Sequence, residues 1–265
     1  MISKVTTHLN RYNPFLWGPT GHGSNLGVAP VVTDPSLTVW FDAVNSTYSP
    51  SNPTTGTSLT AWGDKSSAAH DANTSGNTTV QPKYQTNIQN GLPNIYFDGV
   101  NDLFTVNPFG TMQSLNGYTY FIVGKTSITT QQVITVMKAN SGGDVRELYL
   151  SVNASGKWAV GAGTGLASSA TVDTNYHIHT IVYDGTLGGN TRLRHRLDGV
   201  EQALTFSNTP TSLSTTNTTY LYIGTDTSGN NDFNGYLGDV AIYTKTLADA
   251  DIQNVEKYFK NKWAI

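Results

Sequence analysis

A chain of 265 residues with a formal net charge of -3 and no cysteine excludes several classes at once. There is no disulfide framework, no thiolate metal site, and no broad cationic field to draw in nucleic acid or an anionic membrane. Charged residues make up 12%, about half the usual share, so the surface must be polar through Ser, Thr, Asn and Gly, and stability must come from an apolar core.

Residues 1–35 hold no period of two or of 3.6, and Pro14, Gly18, Pro19, Gly21, Gly23, Gly27 and Pro30 interrupt the backbone repeatedly. An extended N-terminal arm is expected here. Its Tyr12, Phe15, Leu16 and Trp17 are unlike a solvated linker and are candidate partner-binding residues. The opening MISKVTTHLNRYNPF lacks the apolar run of a secretory signal, and no later segment has the length to span a bilayer. Synthesis in the cytosol is the expectation.

Short runs rich in Val, Ile, Tyr, Phe and Thr follow, separated by Gly, Asn, Asp and Ser clusters, and they read as strands and turns. They begin at Leu37, Asn94, Tyr118, Gln132, Glu147, Lys157, Tyr176, Arg192, Tyr220 and Gly235. The stretch from Asn45 to Tyr84 is poor in aliphatic residues and reads as long loops. Many strands alternate apolar and polar residues, which predicts stacked antiparallel sheets over residues 36–265. At the end of the chain, Ile252, Val255, Phe259 and Trp263 fall at helical spacing behind Thr246 as N-cap. One short amphipathic helix should close the fold.

Four segments carry a family likeness: LTVWFDA (37–43), AWGDKSS (61–67), QPKYQTNIQNGLPNIYFDGVNDLF (81–104) and GYLGDVAIYTKTLADADIQNVEKYF (235–259). In order and spacing they resemble the laminin G-like jelly-roll subgroup of the concanavalin A-like lectin and glucanase superfamily. The resemblance spans roughly residues 36 to 263 and implies an all-β, two-sheet antiparallel jelly-roll sandwich. Two positions depart from it: Gly238 precedes Asp239 where the family often carries an acidic pair, and Ala248 stands where the helix often opens with Ser.

The glucanase branch of that superfamily places its carboxylates in E-x-D-x-x-E on one strand. Glu147, Glu201 and Glu256 do not reproduce that pattern, so the expectation is a chain that is not an enzyme. Asp98, Asn101 and Asp102 are a candidate structural Ca2+ set, with Asp42 or Asp239 as companions; ordinary turn chemistry is the favoured alternative. No other cofactor is expected. His177 and His179 alternate on one strand but lack a recognisable third ligand, and are read as solvent-facing or hydrogen-bonded.

Arg192, Arg194 and Arg196 place three cations on one strand face, which calls for carboxylates, solvent or a partner surface. Tyr48, Trp62 and Tyr84 lie in or beside the long loops, where an aromatic ring would suit a sugar, with core packing as the plainer reading. Together the lectin-like sandwich, the start without an export signal and the aromatic arm point to a bacteriophage virion protein. Capsid decoration through the arm is the first expectation, with capsid or other virion proteins, or a second copy, as partners. A carbohydrate-binding module with glycan partners is the alternative, and neither nucleic acid nor a membrane is expected as a partner.

Overall fold

The computed structural model describes residues 26–111, 116–139, 146–213, 218–226 and 231–265. Each of the ten runs singled out in the sequence forms a strand. The first half holds β1 (Leu37–Asp42), β2 (Tyr48–Ser49), β3 (Ala61–Trp62), β4 (Ala72–Asn73), β5 (Lys83–Gln89), β6 (Leu92–Asp98), β7 (Phe104–Thr111), β8 (Gly117–Thr126) and β9 (Gln132–Ala139). The second half adds β10 (Arg146–Val152), β11 (Lys157–Ala162), β12 (Gly165–Thr171), β13 (His177–Asp184), β14 (Leu193–Leu197), β15 (Val200–Glu201), β16 (Thr205–Asn208), β17 (Thr218–Ile223), β18 (Asn234–Tyr243) and the helix α1 (Asp249–Trp263).

The strands form the expected antiparallel sandwich. One sheet runs β15-β14-β13-β8-β18-β6-β5, and the other runs β16-β12-β11-β10-β9-β17-β7-β4-β3-β2. Along one edge of β18 the partner changes, from β6 over Asn234–Leu237 to β1 over Asp239–Tyr243. The stretch read as long loops contributes β2, β3 and β4, which are two-residue pairs. Backbone hydrogen bonds alone are enough to hold pairs that short, so no hydrophobic alternation marks them.

Between the sheets, Phe41 packs on Trp62 with ring centroids 5.3 Å apart, and Phe97 meets both Phe104 and Phe233. Trp62 is wholly buried in this core. Burying each large ring contributes about 1.5–3 kcal/mol, the main term that offsets chain entropy in a fold without disulfides.

Helix α1 lies on the outer face of the first sheet. Its Ile252, Val255, Phe259 and Trp263 are buried as their spacing requires, with Asp249 and Asp251 in the first turn and Lys260 and Lys262 in the last. Its N-cap is Ala248, which makes no side-chain cap bond. Thr246, expected as the cap, instead donates its hydroxyl to the Tyr183 carbonyl at 3.0 Å. The described end of the arm is laid across this helix: the Val28 N–H donates to the Asn254 carbonyl at 3.0 Å, Asn261 donates to the Leu26 carbonyl at 2.8 Å, and Asp34 pairs with Lys245.

Beneath α1, the family-like motifs meet in one buried ionic group. Lys262 lies 2.7 Å from both Asp42 and Asp239, Lys65 lies 2.8 Å from Asp42, and the Trp40 and Trp263 indoles both donate to Asp239. Burial raises the Asp42 pKa, but the attraction of Lys262 and Lys65 outweighs it and holds the group well below the usual range. Burial, opposed by Lys262 and aided by Asp42, pushes Asp239 up to about 6. Gly238 is part of the same device, since a Cβ there would stand 2.5 Å from the Trp263 ring. That contact explains why glycine precedes Asp239.

Candidate functional site

Where β6 ends, the chain turns sharply through Asp98-Gly99-Val100-Asn101-Asp102. Gly99 is required by its φ of 77° and by Asn234, whose side chain a Cβ would meet at 2.7 Å. The Asp98 carboxylate accepts the Val100 N–H at 2.8 Å, Asp102 accepts the Asp98 N–H at 3.0 Å, and Asn234 donates to the Asp98 carbonyl at 3.0 Å. Opposite this turn, the Thr225 hydroxyl, just beyond β17, donates to Asp232 at 2.6 Å, and the Phe233 N–H donates to the Gly224 carbonyl.

Between these segments lies a groove of about 390 Å³. Val80, Val100 and Leu103 supply its apolar lining, while Asn101, Tyr222, Thr225, Asp226 and Asp232 supply an amide, a phenol ring, a hydroxyl and two carboxylates. An aromatic ring beside a few convergent polar groups suits a polyhydroxylated ring, whose C–H face stacks while its hydroxyls hydrogen-bond. Asp102 lies behind the turn, 4% exposed, and burial together with the Asp98 charge pushes its carboxyl up to about 6.

Of the candidates read from the sequence, Asn101 lines the groove, while Asp98 and Asp102 lie in the turn that carries it. Asp42 and Asp239, considered as their companions, are committed to Lys262 instead. Among the described residues, no group of three or more His, Asp or Glu is arranged to hold a metal ion. Tyr12, Phe15, Leu16 and Trp17 lie outside the described residues.

The three arginines do not form an open cationic face. Arg192 ends the 3-10 turn Gly189–Arg192, before the strand, and donates to the Leu187 carbonyl. Arg194 pairs with Glu201 and Asp249, and Arg196 is buried against Glu256 at 2.8 Å. Pairing is what adjacent cations on a helix-covered sheet require. Trp62 is core; Tyr48 donates to the Ala43 carbonyl and stacks edge-on with Tyr84 at 5.3 Å.

His177 and His179 face inward rather than outward, and His195 completes a cluster that the sequence did not disclose. His179 Nδ1 lies 3.1 Å from His195 Nε2, while His177 lies between Asp198 at 2.7 Å and Asp173 at 3.0 Å. Burial, with the neighbouring imidazoles, lowers His179 well below its ordinary value. The same causes push His195 down to about 4. Burial opposes charge on His177 as well, but its two carboxylates outweigh it and raise the pKa.

The architecture is that of a lectin-type jelly roll with a groove at one end of the sandwich. Residues 98–253 match the model of the Concanavalin A-like lectin/glucanases superfamily, of the Laminin_G_3 type, and the chain belongs to that family. No curated protein matches it in sequence.

Among solved structures, it is similar to Trypanosoma rangeli sialidase in complex with sialic acid, at 13% identity and a TM-score of 0.59 over 89% of this chain and 36% of that one. A mutant of that sialidase displaying trans-sialidase activity aligns at 14% identity and a TM-score of 0.57, over 88% of this chain and 34% of the mutant. A GH54 α-L-arabinofuranosidase soaked with a cyclic sulfate inhibitor aligns at 11% identity and a TM-score of 0.56, over 86% of this chain and 63% of that one. This chain therefore spans about a third of the sialidases' length. These neighbours correct the expectation that the chain is not an enzyme. They are enzymes themselves, so the fold is one that glycosidases use, and a missing glucanase carboxylate pattern does not exclude catalysis.

Proposed function

We propose that this chain is a carbohydrate-recognising module that takes a neutral sugar into the groove between the Asp98–Asp102 turn and the ends of β17 and β18. The observation that carries the reading is the meeting of Tyr222 with Asn101, Thr225, Asp226 and Asp232 around one cavity of about 390 Å³. Family membership and glycosidase neighbours support it, and fold alone would not be enough.

A second reading, hydrolysis at the same groove, is favoured by Asp102. Its carboxyl, pushed up to about 6 by burial and the Asp98 charge, has the raised pKa that a general acid needs, and it sits directly behind Asn101, which lines the groove. Display on a bacteriophage particle through residues 1–35 belongs to the same proposal. It is supported by the aromatic residues Tyr12, Phe15 and Trp17, and by exposed Leu26, Val28 and Val31 directly after them.

The test is a glycan array and a panel of aryl glycosides, read with wild type, Tyr222→Ala and Asp102→Asn. Capture of a neutral glycan that Tyr222→Ala weakens about tenfold supports recognition, and turnover abolished in Asp102→Asn supports hydrolysis. Wild-type protein that neither retains nor cleaves any glycan would overturn both.

A further inference from the structure

The strand register assembles a second surface that the sequence hides. On the outer face of the first sheet, Lys83 stands opposite Tyr96, Tyr96 opposite Tyr236, and Tyr236 opposite Lys125. Tyr176 follows as the residue just before His177, which pairs with Gly124. Five neighbouring strands, β5, β6, β18, β8 and the lead into β13, therefore present Lys-Tyr-Tyr-Lys-Tyr in one row. At the usual strand spacing the row is roughly 19 Å long.

The rings form a continuous surface. Tyr96 and Tyr236 have centroids 5.0 Å apart, and the Lys125 ammonium lies 5.2 Å from the Tyr236 ring and 5.4 Å from the Tyr176 ring. Tyr96, Tyr236 and Lys125 are half-buried and Lys83 is exposed. Tyr176 itself is buried beside Lys125, and its hydroxyl has no hydrogen-bond partner among the described residues.

Charge distinguishes this row from the rest of the sheet. Lys65, Lys245, Lys262, Arg194 and Arg196 each have a carboxylate within 4.0 Å. Lys83 and Lys125 have no carboxylate within 4.0 Å among the described residues, although Lys83 acts on the Asp102 carboxyl at longer range. Asp98, two residues along β6 on the same face, is turned onto the N–H groups of its own turn.

We propose that this row binds an extended acidic polysaccharide, whose sugar rings stack on the half-buried Tyr96 and Tyr236 while its carboxylates meet Lys83 and Lys125. The two lysines sit three strands apart, which places two cations along a ligand that lies across the strands. Tyrosine suits the stacking role because its amphipathic ring is ordered at little entropic cost, and two ammonium groups with no carboxylate within 4.0 Å among the described residues give the surface its preference for anions. The surface is separate from the groove and does not rest on the groove's reading.

Affinity electrophoresis through gels containing polygalacturonate or neutral hydroxyethylcellulose tests it. Polygalacturonate should retard the wild type, and added salt should weaken that retardation. Tyr236→Ala should lose about tenfold in affinity, Lys125→Met should lose binding and its salt dependence together, and Tyr236→Phe should bind as wild type. Tyr222→Ala, in the groove, should be unaffected. Thermal melts of each variant separate lost binding from lost folding. No retardation by polygalacturonate, equal retardation by the neutral polymer, or unchanged binding in both Tyr236→Ala and Lys125→Met would overturn the proposal and leave the groove's reading standing.

Discussion

The outer face of the first sheet is divided in two. Under α1, every charge reaches a counter-charge: Lys262 bridges Asp42 and Asp239, and Arg196 meets Glu256, which also accepts from Thr180 at 2.8 Å. Beyond the helix, the same residue types stand apart. Lys83 and Lys125 lie among tyrosines, and Asp98 and Asp102 share a turn with no lysine within 4.0 Å of either among the described residues, only the longer-range attraction of Lys83 for Asp102. Burial by the helix excludes water and forces compensation, whereas the open end keeps its charges available to a ligand. Residue type does not separate structural from functional charges here; what covers them does.

The sharpest way to break that contrast is to remove the shared cation. Lys262→Met would leave two buried carboxylates with Lys65 as the remaining ion-paired cation among the described residues, beside the neutral donors of Trp40, Trp263, Val44 and Asn45. Breaking a buried pair from one side costs about 3–5 kcal/mol, and chemical denaturation followed by circular dichroism should show a loss of that size. A loss under about 1 kcal/mol would mean that water reaches the group and that the helix-covered region is not dry.

Much of this division was hidden in the sequence for a physical reason. Alternation and turn residues disclosed ten strands and α1, because burial on one face imposes a period on neighbouring residues. The ionic group was present only as separate motifs: Asp42 in LTVWFDA, Lys65 in AWGDKSS and Asp239 in GDVAIY. Nothing local says that they meet. The groove was half legible, since the FDGVND turn holds Asp98, Asn101 and Asp102, but Tyr222, Asp226 and Asp232 arrive from a segment more than a hundred residues away. His195 and the tyrosine row depend on strand register, which no single strand encodes. A search for aromatic residues outward on several strands would have found Tyr96 and Tyr236, had their pairing been known.

A smaller effect, with the opposite sign, sharpens the contrast at the open end. The Asp102 carboxyl sits at about 6 against an unperturbed 3.8, so the folded state binds its proton more tightly than the unfolded chain does. Its stabilising contribution is complete below the unfolded value and is lost as pH rises through about 6, above which the fold carries a carboxylate it disfavours. Asp102→Asn should therefore stabilise the protein by up to about 3 kcal/mol near pH 8, and the gain should disappear towards about pH 4. Urea melts at the two pH values measure it. A gain independent of pH would assign the effect to packing rather than charge. A gain seen only at high pH would mark Asp102 as a group retained at the expense of stability, as site residues commonly are.

The smallest expected effect completes the comparison by repeating the first substitution where no carboxylate waits. Lys125→Met removes an ammonium that has ring faces on two sides and no acid partner among the described residues, while methionine keeps most of the aliphatic stem over Tyr236 and Tyr176. A half-exposed cation–π contact is worth about 0.5–1 kcal/mol, and the retained stem returns part of that through burial. The loss should therefore stay under about 1 kcal/mol, several-fold below that for Lys262→Met, when both are measured by the same denaturation. Equal losses for the two lysines would mean that Lys125 also completes a buried network, and the row would then be a structural element. A small loss in stability joined to a large loss of polygalacturonate binding would instead separate the two ends of the sheet by the work their charges do.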